Sequence, residues 1–326
     1  MIQPVIAIHG GAGAMSRAAM SPEKEQEYLS ALESILTAGQ AVLARGGSAL
    51  DAVTEAVRLL EDCPLFNAGH GAVFTSAGTH ELDAAIMDGA TLRSGAIANV
   101  NCVRNPVFAA RKVMETSKHV FFVGEGAEAF AKDAGLELVD PSYFSTEARR
   151  EQLLRVQRET PEAAVLDHDG QAMVARGQPA PADPLDSDKK FGTVGAVAVD
   201  AQGNLAAATS TGGITNKQVG RVGDAPLIGA GTYASNQTCA VSTTGTGEMF
   251  IRMVAAYDVA AQMEYCDASL ETAANRVVME KLPTIGGKGG LVAVDAQGNV
   301  ALPFNTEGMY RGYARVGEKP VTAIYR

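Results

Sequence analysis

Apolar and polar positions along the 326-residue chain follow two rhythms with one interruption between them. The run Val5–Ile8 is short and wholly apolar, as a buried strand requires, and leads into His9-Gly10-Gly11-Ala12-Gly13. Ser21 before Pro22 marks a helix start, because Ser caps free N–H groups and Pro fits the first turn. Two helices are predicted, over 22–45 and 48–62. The second has Ser48 as its cap and Ala52, Val53, Ala56, Val57 and Leu60 on one face. After the loop Asn67–Gly71, strand-like runs come at 72–75, 82–87 and 96–100. Pro106 opens another helix, Val120–Val123 reads as a strand, and helices are expected at 125–134 and 146–158.

The rhythm stops between 160 and 190. This stretch is rich in Pro, Asp, Ala and Gly and poor in β-branched and aromatic residues, which reads as a solvated, mobile linker. It then resumes with a repeat: VAVDAQGN occurs at Val197–Asn204 and again at Val292–Asn299. Each copy places turn residues between two apolar runs, the second runs being Leu205–Ala208 and Val300–Phe304, so two β-hairpins are expected. With helices over 246–262 and 267–281, the C-terminal part reads as an antiparallel sheet covered by helices.

Composition narrows the function classes. A net charge of −10 disfavours a nucleic-acid surface, which needs clustered Lys and Arg, and an anionic membrane as well. No run approaches the ~20 apolar residues that span a bilayer, and the first ten residues lack the features of a secretion signal. Cys63, Cys102, Cys239 and Cys266 are scattered without CxxC spacing, as free thiols of a reducing compartment would be, and a cytoplasmic protein is expected. Many of the 35 glycines lie in short clusters, which points to backbone packed closely on itself or on a ligand.

At the boundary between linker and strand stand Gly192 and Thr193. On spacing alone Thr193 is either an ordinary strand start or a nucleophile. A threonine hydroxyl needs a base, and scission of the Gly192–Thr193 bond would create one: an α-amine with pKa near ~8 on the same residue. The second hairpin strand ends in Thr209-Ser210-Thr211-Gly212-Gly213, and pairing through the turn returns Thr211 toward Thr193. Arg221 and Asp224 follow on a glycine-flanked loop. They form either a surface ion pair or a grip for the carboxylate and ammonium of an amino acid. Thr243–Phe250 is a glycine-rich turn into a helix. It suits an oxyanion or a carboxylate, or a phosphate, although the lysine of a P-loop is missing.

GTVGAVAVDAQGN, TSTGG, GRVGDAP, TGTGE and FNTEGMYRG, in this order, resemble the plant-type asparaginase/isoaspartyl aminopeptidase family of N-terminal-nucleophile hydrolases. The upstream stretches IAIHGGAGA, LEDCPLFNAGHGAVFT and ELDAAIMDG do so too. The resemblance implies a four-layer αββα sandwich, cut between Gly192 and Thr193 into an α subunit (1–192) and a β subunit (193–326) that assemble as an (αβ)₂ heterotetramer. It implies Thr193 as nucleophile and base, Thr211 as its hydrogen-bonding neighbour, and Thr244 and Gly245 as the oxyanion site. Arg221 would hold the substrate α-carboxylate and Asp224 its α-amino group. Val222 and Gly223 on that loop, and Thr246 and Gly247 beyond the oxyanion site, would complete substrate binding, with Asn67 supporting the nucleophile. A structural sodium ion would be held by main-chain carbonyls of Leu60, Glu61, Cys63, Phe66, Ala68 and His70, and no organic cofactor is called for. The implied substrates are β-aspartyl dipeptides and L-asparagine. A glycosylasparaginase or a threonine endopeptidase of the same fold, and a non-catalytic phosphate-binding protein, are the alternatives.

Overall fold

The computed structural model describes residues 2–15, 20–159 and 192–326, so the expected linker at 160–190 lies outside the described residues. Helix α1 (Pro22–Ala44) starts where Ser21 Oγ accepts the Lys24 N–H, and α2 (Ala49–Asp62) where Ser48 Oγ accepts that of Asp51. Helices α3 (Pro106–Thr116), α4 (Gly124–Asp133) and α5 (Glu147–Glu159) follow. Later come α6 (Gly247–Met253), α7 (Ala255–Cys266) and α8 (Leu270–Asn275).

The strands are β1 (Val5–Gly13), β2 (Leu82–Asp88), β3 (Ser94–Val100), β4 (Phe121–Val123), β5 (Val194–Val199) and β6 (Leu205–Thr211). They continue with β7 (Thr232–Ala234), β8 (Cys239–Gly245), β9 (Gly289–Asp295), β10 (Val300–Ala301), β11 (Gly308–Arg315) and β12 (Val321–Tyr325). One sheet of eight has the order β12-β11-β1-β5-β6-β2-β3-β4, and a sheet of four the order β10-β9-β8-β7.

Alternation along the strands sorts the core into three apolar layers. Ile6, Ile8, Ala196, Ala198, Ala206 and Ala208 turn toward α1, α2 and α3. Val5, Ala7, Val197, Val199, Leu205 and Ala207 face the small sheet, where they meet Ala240, Val292 and Val294. The other face of the small sheet, with Cys239, Val241, Leu291 and Ala293, is covered by α7 and α8. The result is the αββα sandwich. No helix among the described residues is long and apolar enough to cross a membrane.

Both copies of the repeat form the same hairpin. Asp200 Oδ1 accepts the N–H groups of Gln202 and Asn204, and Asp295 Oδ1 those of Gln297 and Asn299. Gly203 and Gly298 both take φ 82°, a conformation that favours glycine at that place in the turn.

The structure corrects five sequence expectations. Residues 72–75 form no strand beyond one bridge, Thr75 to Lys217. Their polar backbone is taken by loops instead: Val73 N–H donates to Asn67 Oδ1, and Phe74 C=O accepts from Asn216. The helix expected over 246–262 breaks at Val254 (φ 49°), because the N–H groups of Ala256 and Tyr257 donate to the carbonyls of Ala230 and Gly229. The helix expected over 267–281 begins at Leu270, with Ser269 as cap, and passes into a π-turn over Arg276–Lys281. The run Val300–Phe304 is a strand only to Ala301, since Pro303 has no N–H for a ladder. Strands β7, β8, β11 and β12 have no counterpart in the sequence expectation, and Thr243–Gly245, expected as part of a turn, close strand β8.

Candidate active site

Register alone assembles the centre of the site. Strand β5 pairs antiparallel with β6, Val194 opposite Ser210, and β6 pairs with β2, Thr211 opposite Asp83. Thr193, just before β5, therefore stands beside Thr211, and their hydroxyl oxygens are hydrogen-bonded at 3.3 Å. Thr193 is 6% exposed, so its hydroxyl sits in a largely water-free wall. Thr211 Oγ1 also accepts the Gly213 N–H at 2.9 Å. Asn67 clamps the same turn: its side-chain amide donates to Gly213 C=O at 2.7 Å and its main-chain carbonyl accepts from Gly212 N–H.

On the other flank lies the end of β1. A Cβ on Gly192 would clash with Gly11 Cα and stand 3.1 Å from Gly10 C=O, so only glycine fits before Thr193. The next residue of β1, Ala12, donates its N–H to Thr244 Oγ1 at 3.3 Å. The N-terminal glycine run is thereby wedged between the Gly192–Thr193 bond and Thr244. Gly245 follows at φ 154°, where a Cβ would run into Lys288 C=O, and Thr246 N–H donates to that same carbonyl at 2.9 Å. Thr244 and Gly245 thus occupy a rigid strand end facing the eight-stranded sheet.

Arg221 and Asp224 do come together, although not as a simple pair. Both border Gly247, where a Cβ would lie 2.9 Å from Arg221 Nη2 and 2.9 Å from Asp224 Oδ1. Arg221 folds back over Gly223, beside Val222, and its guanidinium grips Glu248 with two bonds of 2.9 and 3.0 Å. Asp224 is buried, which pushes its carboxyl up to about 6. The Thr243 hydroxyl at 2.6 Å and the Arg221 charge oppose that shift, and Glu248 adds to it. Among the described residues no hydrogen bond joins Thr193 to Thr244, Arg221 or Asp224; Thr244 lies on β8, and Asp224 is bonded to Thr243 beside it.

Sequence reasoning missed several residues here. His9 is fully buried, Nε2 hydrogen-bonded to Ser242 Oγ at 2.8 Å. Burial holds it neutral with its pKa lowered to about 3, the Thr193 carbonyl opposing the shift. Ser242, Thr209 and Thr232 continue the hydroxyl chain at 2.7 Å per step. Asp83 and Lys217 are both buried, with Lys217 Nζ donating to Glu81 C=O at 2.9 Å. The period-2 alternation of β1 and β6 places His9 and Thr209 on the inter-sheet face, and that signal could have found them. Nothing local could have paired Asp224 with Thr243 or Arg221 with Glu248.

The loop 60–70 closes on itself, His70 N–H donating to Glu61 C=O at 2.7 Å. A Cβ on Gly71 would lie 2.6 Å from Pro64 C=O and 2.8 Å from Phe66 C=O, so carbonyls crowd around the glycines. Such neutral oxygen donors suit a hard cation. Among the described residues no group of three or more His, Cys, Asp or Glu could hold a metal ion.

A family model described as asparaginase matches residues 2–324. The isoaspartyl peptidase of Escherichia coli (strain K12) is 61% identical over 326 residues, covering 100% of this chain and 97% of the relative. That of Salmonella typhimurium is 62% identical, with 100% of each chain covered. An isoaspartyl peptidase/L-asparaginase of Bos taurus is 39% identical over 317 residues, covering 97% of this chain and 95% of its own.

Proposed function

Because the chain belongs to the asparaginase family, we propose that it is an isoaspartyl peptidase and L-asparaginase that matures by cutting itself between Gly192 and Thr193. The single observation that carries this reading is the buried Thr193 hydroxyl. It stands at the head of β5 against Thr211, and the scissile bond is pressed on Gly11.

In the uncut chain the Thr193 nitrogen is an amide and cannot take a proton. Attack of Thr193 Oγ1 on the Gly192 carbonyl converts that amide to an ester and frees the nitrogen as an amine. Water then hydrolyses the ester, leaving Gly192 as a carboxylate. The new α-amine, close to neutral in pKa, serves as the base for the hydroxyl of its own residue. In turnover Thr193 Oγ1 attacks the side-chain carbonyl of a β-aspartyl unit. Thr244 and the Gly245 N–H stabilise the oxyanion, and the protonated amine returns its proton to the leaving amine or ammonia. Water releases aspartate from the acyl-enzyme. Thr211, fixed by Gly213 and through it by Asn67, keeps the attacking hydroxyl in line. Arg221 takes the substrate α-carboxylate in place of, or together with, Glu248, and Asp224 accepts from the α-ammonium, with Val222, Gly223, Thr246 and Gly247 shaping the pocket.

The test is a substrate panel on incubated protein. β-Aspartyl-leucine and L-asparagine should be hydrolysed. α-Aspartyl-leucine and glycosyl-asparagine should not, and the smaller fragment should begin Thr-Val-Gly-Ala. Preference for glycosyl-asparagine would move the protein to another branch of the fold.

The Gly192→Ala variant should mature at least about tenfold more slowly, since the added Cβ displaces the Gly10–Gly11 backbone by a strain of a few kcal/mol. The rate at which the Thr193 fragment appears is the measurement, and a wild-type rate would remove Gly11 from the account. A pH effect is also expected. Protonation of the Thr193 amine lowers kcat/KM below its pKa of ~8, and Asp224, which accepts an ammonium only when ionised, should steepen the fall for β-aspartyl dipeptides below about 6. A single slope from pH 8 to 5 would count against Asp224 as the ammonium site.

Three further readings follow, the first two from the family resemblance and the third from the cysteines. The mature chains pair into an (αβ)₂ heterotetramer, whose mass light scattering would report. The loop 60–70 holds sodium through the main-chain carbonyls of Leu60, Glu61, Cys63, Phe66, Ala68 and His70, where the ion would stiffen the support of Asn67. The protein works in the cytoplasm, in keeping with its four free cysteines.

A further inference from the structure

Alternation along β8 puts two consecutive threonines on opposite faces. Thr244 points with Ser242 and Ala240 toward the eight-stranded sheet and the nucleophile. Thr243 points with Cys239 and Val241 to the other side, where Asp224 lies. Thr243 is fully buried and doubly tied. Its N–H donates to Gly231 C=O at 3.0 Å, and its hydroxyl donates to Asp224 Oδ2 at 2.6 Å with a longer 3.4 Å contact to the same Gly231 carbonyl. The second carboxylate oxygen, Oδ1, faces Gly247 beside Arg221 Nη2.

We propose that Thr243 is a positioning residue for substrate recognition: its hydroxyl occupies Oδ2 of Asp224 and turns Oδ1 outward as the acceptor for the substrate's α-ammonium group. The proposal deepens the function given above and rests on it. One strand then carries both ends of the reaction, with Thr244 at the developing oxyanion and Thr243, one residue back, behind the ammonium acceptor. The short strand repeat keeps the two a constant distance apart, which selects a carbonyl at a set distance from the α-amino group.

The hydroxyl has a second effect. Burial raises the Asp224 carboxyl, and the Thr243 bond is the largest influence holding it down. The charged groups acting on Asp224 are Arg221, on its own loop, and Glu248, on α6. Thr243 contributes no charge, so removing it alters the carboxylate through one hydrogen bond alone.

Thr243→Val keeps the volume and removes the donor. For β-aspartyl-leucine, KM should rise about tenfold to a hundredfold, the range for a lost bond to a charged group, with kcat changed less than threefold. The lower break in the acid limb of kcat/KM, which Asp224 adds beneath that of the Thr193 amine, should move to higher pH. Thr243→Ser should restore both. A succinyl-leucine analogue, which lacks the α-amino group, should be turned over slowly but equally by wild type and Thr243→Val, because the feature lost is then unused. Intact-mass measurement confirms that each variant has matured. An equal penalty on both substrates, or no shift in the acid limb, would overturn the proposal. Failure of wild type to release aspartate would instead overturn the function on which it rests.

Discussion

The Thr193→Ala chain is expected to stay a single polypeptide of 326 residues and to release no aspartate from any β-aspartyl substrate. The loss of activity should be about 10⁴-fold or more, as for removal of the nucleophile in other hydrolases. Two functions vanish together because one hydroxyl performs both: it attacks the Gly192 carbonyl during maturation and the substrate carbonyl afterwards. Folding should survive, since the change removes one methyl group, one hydroxyl and a 3.3 Å bond to Thr211. A stability loss of about 1–2 kcal/mol is expected, a few degrees in Tm. Mass spectrometry and thermal unfolding on the same sample check both points. A Thr193→Ala sample that still splits, or an uncut chain that turns over substrate, would sink the mechanism. Thr193→Ser keeps an oxygen at the same place and should still mature, more slowly.

For Arg221→Ala the expected result is a drop in kcat/KM on β-aspartyl dipeptides of about 10²-fold to 10³-fold, with maturation unchanged. The guanidinium is mostly buried, its side chain 16% exposed, and it already holds a carboxylate in two-bond geometry, that of Glu248. A bidentate bond to carboxylate in a partly desolvated pocket is among the strongest contacts a side chain offers, and Lys cannot reproduce its shape. Arg221→Lys should therefore recover only a small part of the loss. Removing Arg221 also deprives Asp224 of a positive neighbour, so the lower break that Asp224 adds to the acid limb should move to higher pH. Unchanged kinetics in Arg221→Ala would take the α-carboxylate away from this loop. Because the groups packed on Gly192 are Gly10 and Gly11, N-terminal sequencing of Arg221→Ala should still find Thr193 at the head of the small fragment.

The sequence by itself determined those parts of the molecule whose cause is local. Ser21 with Pro22, and Ser48, start helices because a hydroxyl and a fixed φ act within one turn. The two DAQGN turns fold alike because an Asp, a Gly at positive φ and an Asn suffice to close them. Once the first hairpin is closed, strand pairing carries Thr211 to Thr193, so the centre of the site was within reach of pattern reasoning.

The tertiary structure alone decided what depends on meetings across the chain. His9 meets Ser242, Ala12 meets Thr244 and Gly11 meets Gly192 only because β1 is inserted between β5 and β11. Strand β11 forms on the edge that β1 offers, and β12 on the edge of β11. The helix break at Val254 follows from carbonyls of Gly229 and Ala230 competing for its N–H groups. The partners of Arg221 and Asp224, namely Glu248 and Thr243, come from helix α6 and strand β8. Periodicity and turn chemistry act over a few residues, whereas desolvation and hydrogen bonding act on whatever the fold brings together. That is why the meeting of Thr193 with Thr211 could be read from the chain and the bonding of Arg221 and Asp224 could not.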